Sequence, residues 1–326
     1  MIAFVTGGTG FIGSLLVEQL VQRDWEVRCL VRTTSSLKWL QKLPVQLIHG
    51  DLFTEESLAP TLAQATHVFH LAGVTKALTA AEYFRSNGEA VRALLQACAH
   101  HAKNLERFVF VSSIAAAGPS HDGHLVREDE TPQPVSVYGR AKLEGERACA
   151  EYAARLPLTI ARPPIVYGPR DRDVYEYFKQ VRLGLRLRPG WINRIYSLIH
   201  VHDLVRGLIT LAQHPNAAGE TYFITNPDPV EWTQLGLAIA HAMQKKTVQI
   251  TVPTFVTSMV AALSELSAQI IRKPALLNFD KIREMREPHW VFSAEKAREQ
   301  LGFATTLSLE EGLRQTVDWY RENEWL

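Results

Sequence analysis

Cysteine is scarce in this sequence. Three residues, Cys29, Cys98 and Cys149, stand among 326, an odd number with no metal-ligand spacing. That excludes a disulfide framework and reads as reduced thiols in a cytoplasmic protein. An excess of charge is also missing. Thirty-five Lys and Arg face 34 Asp and Glu, for a formal net charge of +1. The balance gives neither a basic stripe for nucleic acid nor an acidic tail, so no nucleic-acid partner is expected. Long apolar runs are absent too. The longest, Thr254 to Ile271, is interrupted by Ser258, Ser264, Glu265, Ser267 and Gln269. A central acidic residue costs about 3 kcal/mol in a bilayer, so no stable membrane span is expected. The helix pattern from Phe255 to Ile271 is read as packing against the core, with a greasy pocket wall or a membrane contact as alternatives. No cationic leader precedes Met1-Ile2-Ala3-Phe4-Val5, which enters a strand pattern directly, so no secretory signal is expected.

What is present is an ordinary globular mix, 46% hydrophobic and 21% charged. Short β-rich runs alternate with longer helical ones. Strands are expected at Ala3–Thr6, Glu26–Val31, Val45–Ile48, Val68–Leu71, Phe108–Val111 and Leu158–Ala161. Helices are expected at Phe11–Arg23, Ala80–His100 and Tyr138–Arg155. Such alternation means parallel strands joined by crossover helices: an α/β class, a doubly wound Rossmann sheet. The pattern loosens after Gly168. A helix returns at His200–Leu211 and a short strand at Thr221–Ile224. The expected division is a dinucleotide-binding domain over 1–168, with 197–225 returning to it. A smaller, mainly helical substrate lobe takes 169–196 and 226–326. In that lobe Ser293 is expected to cap a helix ended by Gly302, and Ser308 with Glu311 forms a capping box.

Residues 6–13 read Thr-Gly-Gly-Thr-Gly-Phe-Ile-Gly. Gly7, Gly10 and Gly13 fall three apart between the first strand and the first helix. A pyrophosphate needs small residues there, because the turn is tight and the backbone must come close. The helix start then offers unpaired N–H groups to the phosphates. Thr9, Phe11 and Ile12 complete this expected cradle. About 20 residues on, NAD-binding chains place an acid on the ribose 2′-hydroxyl. Here Val31 or Arg32 stands in its place, followed by Thr33, Thr34, Ser35 and Ser36. Arg32 suits a 2′-phosphate, which favours NADP(H) and leaves NAD possible; alternatively it covers the adenine. Asp51, before Leu52, either accepts from the adenine amino group or caps a helix near Thr54.

Tyr138 and Lys142 stand at i and i+4, on one face of one helix. A nearby ammonium favours the phenolate, so a tyrosine so placed is expected to exchange a proton with a carbonyl or alcohol oxygen. Val111-Ser112-Ser113 ends a strand where ligands sit in doubly wound sheets, and a serine hydroxyl there can hold the same oxygen.

Taken together, these residues resemble the extended short-chain dehydrogenase/reductases. The resemblance rests on the glycine loop, Asp51-Leu52, His70-Leu71-Ala72-Gly73, Asn87, the Ser113 region, Tyr138/Lys142, the run from Arg162 to Pro169, and Val201-His202-Asp203-Leu204. It implies Ser113, Tyr138 and Lys142 as the catalytic triad, Ser113 being chosen over Ser112 for standing five residues before Gly118. It implies that Asn87 bends its helix and positions a proton-relay water. Leu71, Ala72 and Gly73 would line the adenosine and pyrophosphate, Pro164 would touch the nicotinamide, and Lys142 would hold its ribose. Relatives often pair through the helices of Asn87 and Tyr138, which implies a homodimer. Ile114 and Ala115 stand where dehydratases of the family carry Asp-Glu, so elimination of water is not expected. The end of the second strand looks like that of dihydroflavonol reductases, and the C-terminal part like the 3β-hydroxysteroid dehydrogenase branch. The expectation is an NADP(H)-dependent oxidoreductase acting on a bulky hydrophobic small molecule. A nucleotide-sugar epimerase with bound NAD is the alternative, and a non-catalytic dinucleotide sensor a further one. Arg170, Arg172, Arg182, Arg186, Arg188 and Arg194 are read as a solvated surface rather than an anion site. His70, His200 and His202 are read as structural, with no metal.

Overall fold

Ala3, Phe4 and Val5 are wholly buried, as a strand covered on both faces must be. They belong to β1 (Ile2–Thr6), an inner strand of a seven-stranded sheet. The computed structural model of the chain describes residues 1–256, 259, 264 and 279–326. Most of the helix expected over Phe255–Ile271 lies outside them.

After β1 come α1 (Phe11–Val21), β2 (Glu26–Val31), β3 (Gln46–His49), α2 (Glu55–Leu62) and β4 (His67–His70). α3 (Ala80–Phe84) and α4 (Ala90–His101) follow, then β5 (Arg107–Val111), α5 (Ile114–Ala117), α6 (Val137–Tyr152) and β6 (Leu158–Arg162). The sheet order is β3-β2-β1-β4-β5-β6 with β11 (Thr221–Phe223) added beyond β6, every pair parallel. The winding reverses between β1 and β4, and the crevice at their carboxyl ends is where a doubly wound sheet takes a ligand. Alternate side chains serve opposite layers. Val5 and Val109 pack with Leu16 and Leu20 of α1 and with Leu208 of α8 (Val201–Gln213). Phe4, Phe108 and Phe110 pack with Leu58 of α2 and Leu94 of α4.

The long helix expected over Ala80–His100 is interrupted. A π-turn at Arg85–Glu89 joins α3 to α4, with Asn87 wholly buried inside it. The second lobe is mainly helical, as read, and adds short strands that the sequence did not reveal. Besides α7 (Tyr175–Arg182) and α9 (Trp232–Ala242) the second half holds three small sheets. β7 (Ile165–Tyr167) pairs with β10 (Leu198–His200). β8 (Leu185–Pro189) pairs with β13 (Val248–Val252). β9 (Ile195–Tyr196) lies between β12 (Val230–Glu231) and β14 (His289–Trp290). These strands are two to five residues long, too short for a clear period. Phe178, Ile239, Trp290, Phe292 and Tyr320 form the core of this half.

Capping departs by one residue at the helix Glu295–Leu301. Its N-cap is Ala294, while Ser293 Oγ accepts from the Glu295 N–H at 3.2 Å. Gly302, at φ 61°, ends it. Ser308 and Glu311 form the capping box that opens the helix Leu309–Glu322. Cys29, Cys98 and Cys149 are unpaired and buried. No described helix is long and apolar enough to cross a membrane.

Candidate active site

The glycine loop is set by contact with the end of β4. A Cβ on Gly7 (φ +75°) would lie 2.7 Å from both Ala72 N and Leu71 C, and one on Gly13 would lie 2.2 Å from Gly7 O. Leu71 N donates to Thr6 O (3.1 Å) and Ala72 N to Thr6 Oγ1 (3.2 Å), so Leu71, Ala72 and Gly73 stand over the turn. Gly10 is the N-cap of α1 and supplies no side-chain acceptor, and the first turn has no acid. Thr9 is half-buried and Gly10 exposed, and Phe11 and Ile12 pack partly on the core. Amides left unpaired at a helix start, in a cradle that a Cβ would fill, fit a dinucleotide pyrophosphate.

Beside the loop lies a cavity of about 510 Å3 lined by Arg32, Thr33, Thr34, His49, Gly50 and Asp51. Arg32 is exposed and its backbone is tied to Ser35: its N–H donates to Ser35 Oγ at 3.1 Å and its carbonyl accepts from Ser35 N at 2.9 Å. β2 ends without an acid; Asp51 faces the same cavity from beyond β3. The capping alternative for Asp51 fails. Its Oδ1 accepts from Phe53 N at 2.8 Å, and α2 starts from Thr54 with no side-chain cap. Leu52 packs against the core layer of α2 and α4.

Ser112 and Ser113 part ways at the end of β5. Ser112 is buried and donates to Glu146 Oε1 at 2.5 Å, while Arg162 grips Glu146 through Nε (3.0 Å) and Nη2 (2.6 Å). Ser113 heads α5, where its Oγ accepts from Ala115 N at 3.1 Å, and it is hydrogen-bonded to the Tyr138 hydroxyl. Tyr138 sits in the first turn of α6. Ser136 caps that helix, and Asp280 reaches in from the helix Phe279–Arg286 to accept from Val137 N (2.6 Å) and Tyr138 N (3.0 Å). One turn on, Lys142 is buried. Its Nζ donates to Val111 O at 3.0 Å and lies 5.2 Å from the centre of the Phe110 ring.

The electrostatics differ from the sequence expectation. Burial pushes the Tyr138 hydroxyl well above its ordinary range, the Ser113 hydrogen bond pulls part of the way back, and Glu284 and Asp173 push it further up. Lys142 gives one of its three N–H donors to the Val111 carbonyl. Burial lowers Lys142 itself to about 8, against the opposing charge of Glu146.

Asn87 also differs. Its Nδ2 donates to Val74 O (3.0 Å) and Tyr83 O (3.1 Å), and its Oδ1 accepts from Val74 N (3.2 Å). Both amide hydrogens thus hold backbone, and a water can reach only the second Oδ1 lone pair. A Cβ on Gly73 would lie 2.5 Å from that oxygen and 3.4 Å from Lys142 Nζ. Pro164 is buried between β6 and β7, next to Pro163, whose carbonyl accepts from Ile114 N at 3.1 Å.

A second cavity, of about 590 Å3, opens from Tyr138 and Tyr83. Tyr177 and Trp232, stacked at 4.6 Å, form part of its wall with Leu187, Val252 and Met285. Lys76 and Asp173 pair in it at 2.5 Å, and no arginine is among its described lining residues. The sequence did not single out Asp280, Glu146, Tyr177 or Trp232, none of which lies in a local motif.

Two of the six arginines read as solvated are structural. Arg170 bonds Ser14 Oγ (3.0 Å) and Glu18 and covers the Trp39 ring at 4.2 Å. Arg194 is buried and donates to the carbonyls of Met285 (2.7 Å), Ile192 (3.1 Å) and Pro189. Burial holds His70 and His200 at about 3, so both stay neutral. Glu55, His100 and His101 bring ligand-type atoms within 4.8 Å of one another, are hydrogen-bonded together at 2.8 Å, and line neither cavity.

Residues 3–225 match the model of the NAD dependent epimerase/dehydratase family. The chain belongs to that family. It is 31% identical over 323 residues to the ceramide reductase of Caulobacter vibrioides, covering 99% of this chain and 95% of that one. To the 2-alkyl-3-oxoalkanoate reductase of Stenotrophomonas maltophilia it is 29% identical over 325 residues, covering 95% and 97%. The UDP-glucuronic acid 4-epimerase of Bacillus cereus, solved in complex with NAD, has the same fold, with a TM-score of 0.80, 23% identity and full coverage of both chains. Family and relatives make the chain a nucleotide-dependent oxidoreductase or epimerase.

Proposed function

We propose that this member of the family is an NADP(H)-dependent reductase of a bulky hydrophobic carbonyl compound. One observation carries the reading: the cleft beside Tyr138 is walled by Tyr177, Trp232, Leu187, Val252 and Met285 and offers no arginine among its described lining residues. A nucleotide-sugar substrate brings a diphosphate, which calls for cationic forks of the arginine type. An apolar chain needs only the wall that is there. The ceramide and alkyl-oxoalkanoate named for the two reductase relatives are hydrophobic compounds of this kind.

In the proposed reaction the dinucleotide, when bound, supplies the hydride. Ser113 Oγ accepts from Ala115 N–H, and its hydroxyl hydrogen, directed at Tyr138 Oη in the free site, turns to the substrate oxygen when that oxygen enters between the two. Tyr138 holds its proton at Oη and gives it to that oxygen as the alcohol forms. Lys142, in its pocket under Gly73, is placed for the ribose of the nicotinamide half. Asn87 fixes the 72–74 loop, and Pro164 closes the far side. Gly7, Thr9, Gly10, Phe11, Ile12 and Gly13 take the pyrophosphate. Arg32, with the Thr33 and Thr34 hydroxyls, takes the 2′-phosphate, and Asp51 and Leu52 take the adenine side.

Buried, unpaired thiols support a cytoplasmic location. The proposal includes a homodimer through the α3–α4 helix that contains Asn87 and through α6; a monomer mass in light scattering at micromolar protein overturns that part.

The test is a fluorescence titration of the purified chain with NADPH and NADH, after release of any resident nucleotide, followed by a screen of bulky ketones. Preference for NADPH and turnover of hydrophobic ketones are expected. Tightly retained NAD with turnover of sugar nucleotides would instead establish the epimerase.

A further inference from the structure

The β8–β13 ribbon carries an apolar surface that leads into the cleft. Residues alternate along a strand, so Val248, Ile250 and Val252 share one face of β13. Val252 lines the cleft, yet Val248 is 67% exposed, and Ile250 is exposed between them. The turns at the two ends extend this face. Leu183, 74% exposed, precedes β8, and Gly184 O accepts from Val248 N at 2.9 Å. Trp191 (68% exposed) and Ile192 follow β8, and Gly190 N donates to Val252 O at 2.7 Å. A Cβ on Gly190 would lie 2.9 Å from Thr254 Cγ2, which puts this turn beside Phe255, 71% exposed. The exposure belongs to an ordered turn. Arg188 Nη2 bonds Trp191 O (2.6 Å) and Asn193 Oδ1 (2.5 Å), and the buried Arg194 holds the Ile192 and Pro189 carbonyls.

The charge around this face is of one sign. Residues 181–194 and 243–256 contain Arg182, Arg186, Arg188, Arg194, Lys245 and Lys246 and no acidic residue, in a chain of net charge +1. Arg194 is buried, and Arg186 and Arg188 stand in register with Gln249 and Thr251 on the opposite face of the ribbon, Arg186 bonding Thr247 Oγ1 (2.9 Å) and Gln249 Oε1 (3.2 Å); Arg182, Lys245 and Lys246 stay exposed at the Leu183–Val248 end, and none of these three forms an ion pair with a described residue. Large apolar tips among unpaired cations match a surface where rings enter the headgroup layer and long basic side chains reach anionic lipids. A second copy fits poorly, because two-fold pairing would set cation against cation.

We propose that the β8–β13 ribbon, with the Trp191–Ile192 turn and Phe255, docks on an anionic phospholipid bilayer, so that a lipid ketone passes from the membrane into the cleft. The substrate part rests on the reductase reading above; the docking part does not. Docking is peripheral and needs no spanning helix.

The experiment is flotation of the full chain with vesicles of phosphatidylcholine alone and of phosphatidylcholine with about one-third phosphatidylserine. Each cation near an anionic surface multiplies affinity about fivefold, so binding to the mixed vesicles is expected at least tenfold tighter, and lost in high salt. The Trp191→Ser/Phe255→Ser variant and, separately, the Lys245→Glu/Lys246→Glu variant are each expected to lower vesicle binding at least tenfold. Both change exposed side chains, and turnover of a short soluble ketone should be unchanged. No flotation with anionic vesicles overturns the proposal. So does flotation that both variants leave intact, since the chain would then adsorb elsewhere. Concentration-dependent dimers that Trp191→Ser/Phe255→Ser dissolves, without vesicle binding, would make the face a copy–copy interface and also overturn it. Patch-dependent flotation in a chain that reduces no ketone would sink the reductase reading and leave docking standing.

Discussion

In the proposed reductase Tyr138 is a proton donor before it is a base. Its hydroxyl is pushed above the ordinary tyrosine range by burial, with Glu284 and Asp173 adding to the shift. A raised pKa keeps the proton on at neutral pH, which is the form that reduction needs and oxidation does not. Reduction is therefore expected to be flat in its tyrosine dependence between about pH 6 and 8, while oxidation climbs with pH. Initial rates in both directions test this; a reduction rate falling tenfold per unit below pH 7, under the range where Lys142 titrates, would mean that Tyr138 loses its proton there. Tyr138→Phe is expected to lower kcat by about 10^2- to 10^4-fold, with NADPH binding retained in the same fluorescence titration. At the other end of the site, Arg32 is exposed and its side chain has no ion-pair partner among the described residues. Charge-assisted hydrogen bonds contribute about 1.5–3 kcal/mol, so Arg32→Ser is expected to weaken NADPH by roughly 10- to 150-fold and leave NADH within a few-fold. Equal loss for both nucleotides would assign Arg32 to the adenine face instead.

The helix α6, which carries Tyr138 and Lys142, shows how an element is placed. Ser136 caps it locally, but the Val137 and Tyr138 amides are satisfied by Asp280, 142 residues away from Tyr138. An acidic group at a helix start meets both unpaired amides and the positive end of the helix dipole. Losing such a cap costs about 0.5–2 kcal/mol. Asp280→Ala is expected to lower the Tm and kcat together, and Asp280→Asn, which keeps one acceptor oxygen, to recover part of both. A variant with unchanged kcat and Tm would show that the clamp does not position Tyr138. The same helix marks the limit of what the sequence revealed. Tyr138, Lys142, the glycine loop and the strands from β1 to β6 were legible because each is a local pattern: a spacing of four, a spacing of three, or an apolar run between turns. The Ser308–Glu311 box was legible for the same reason. Asp280 was not, because a side chain that bonds distant backbone leaves no period. Asn87 was singled out, but its commitment to Val74 depends on where the 72–74 loop falls in space. The strands of the second half were missed because they are two to five residues long, and in β8 leucines alternate with Arg186 and Arg188.

At the scale of the whole molecule the two cavities divide the chain unequally. The Arg32 cavity is built entirely from residues 32–51, whereas the cleft combines Thr75 to Tyr138 with Asp173 to Met285. Nucleotide binding at the first should therefore stabilise mainly the seven-stranded sheet, and a molecule filling the cleft should tie the two halves together. A ligand at 100 times its Kd stabilises the folded chain by about 2.7 kcal/mol. For a chain of this length that raises the Tm by on the order of 5 °C. NADPH is expected to give this shift and NADH, at the same concentration, clearly less. Asp280→Ala should separate the halves further: its melting should broaden or split, with NADPH moving only the component that contains the sheet. A single sharp transition in that variant, moved as a unit by NADPH, would show that the remaining contacts of β7, β10 and the helix Leu309–Glu322 suffice to make the molecule one cooperative body, and that Asp280 serves the tyrosine alone.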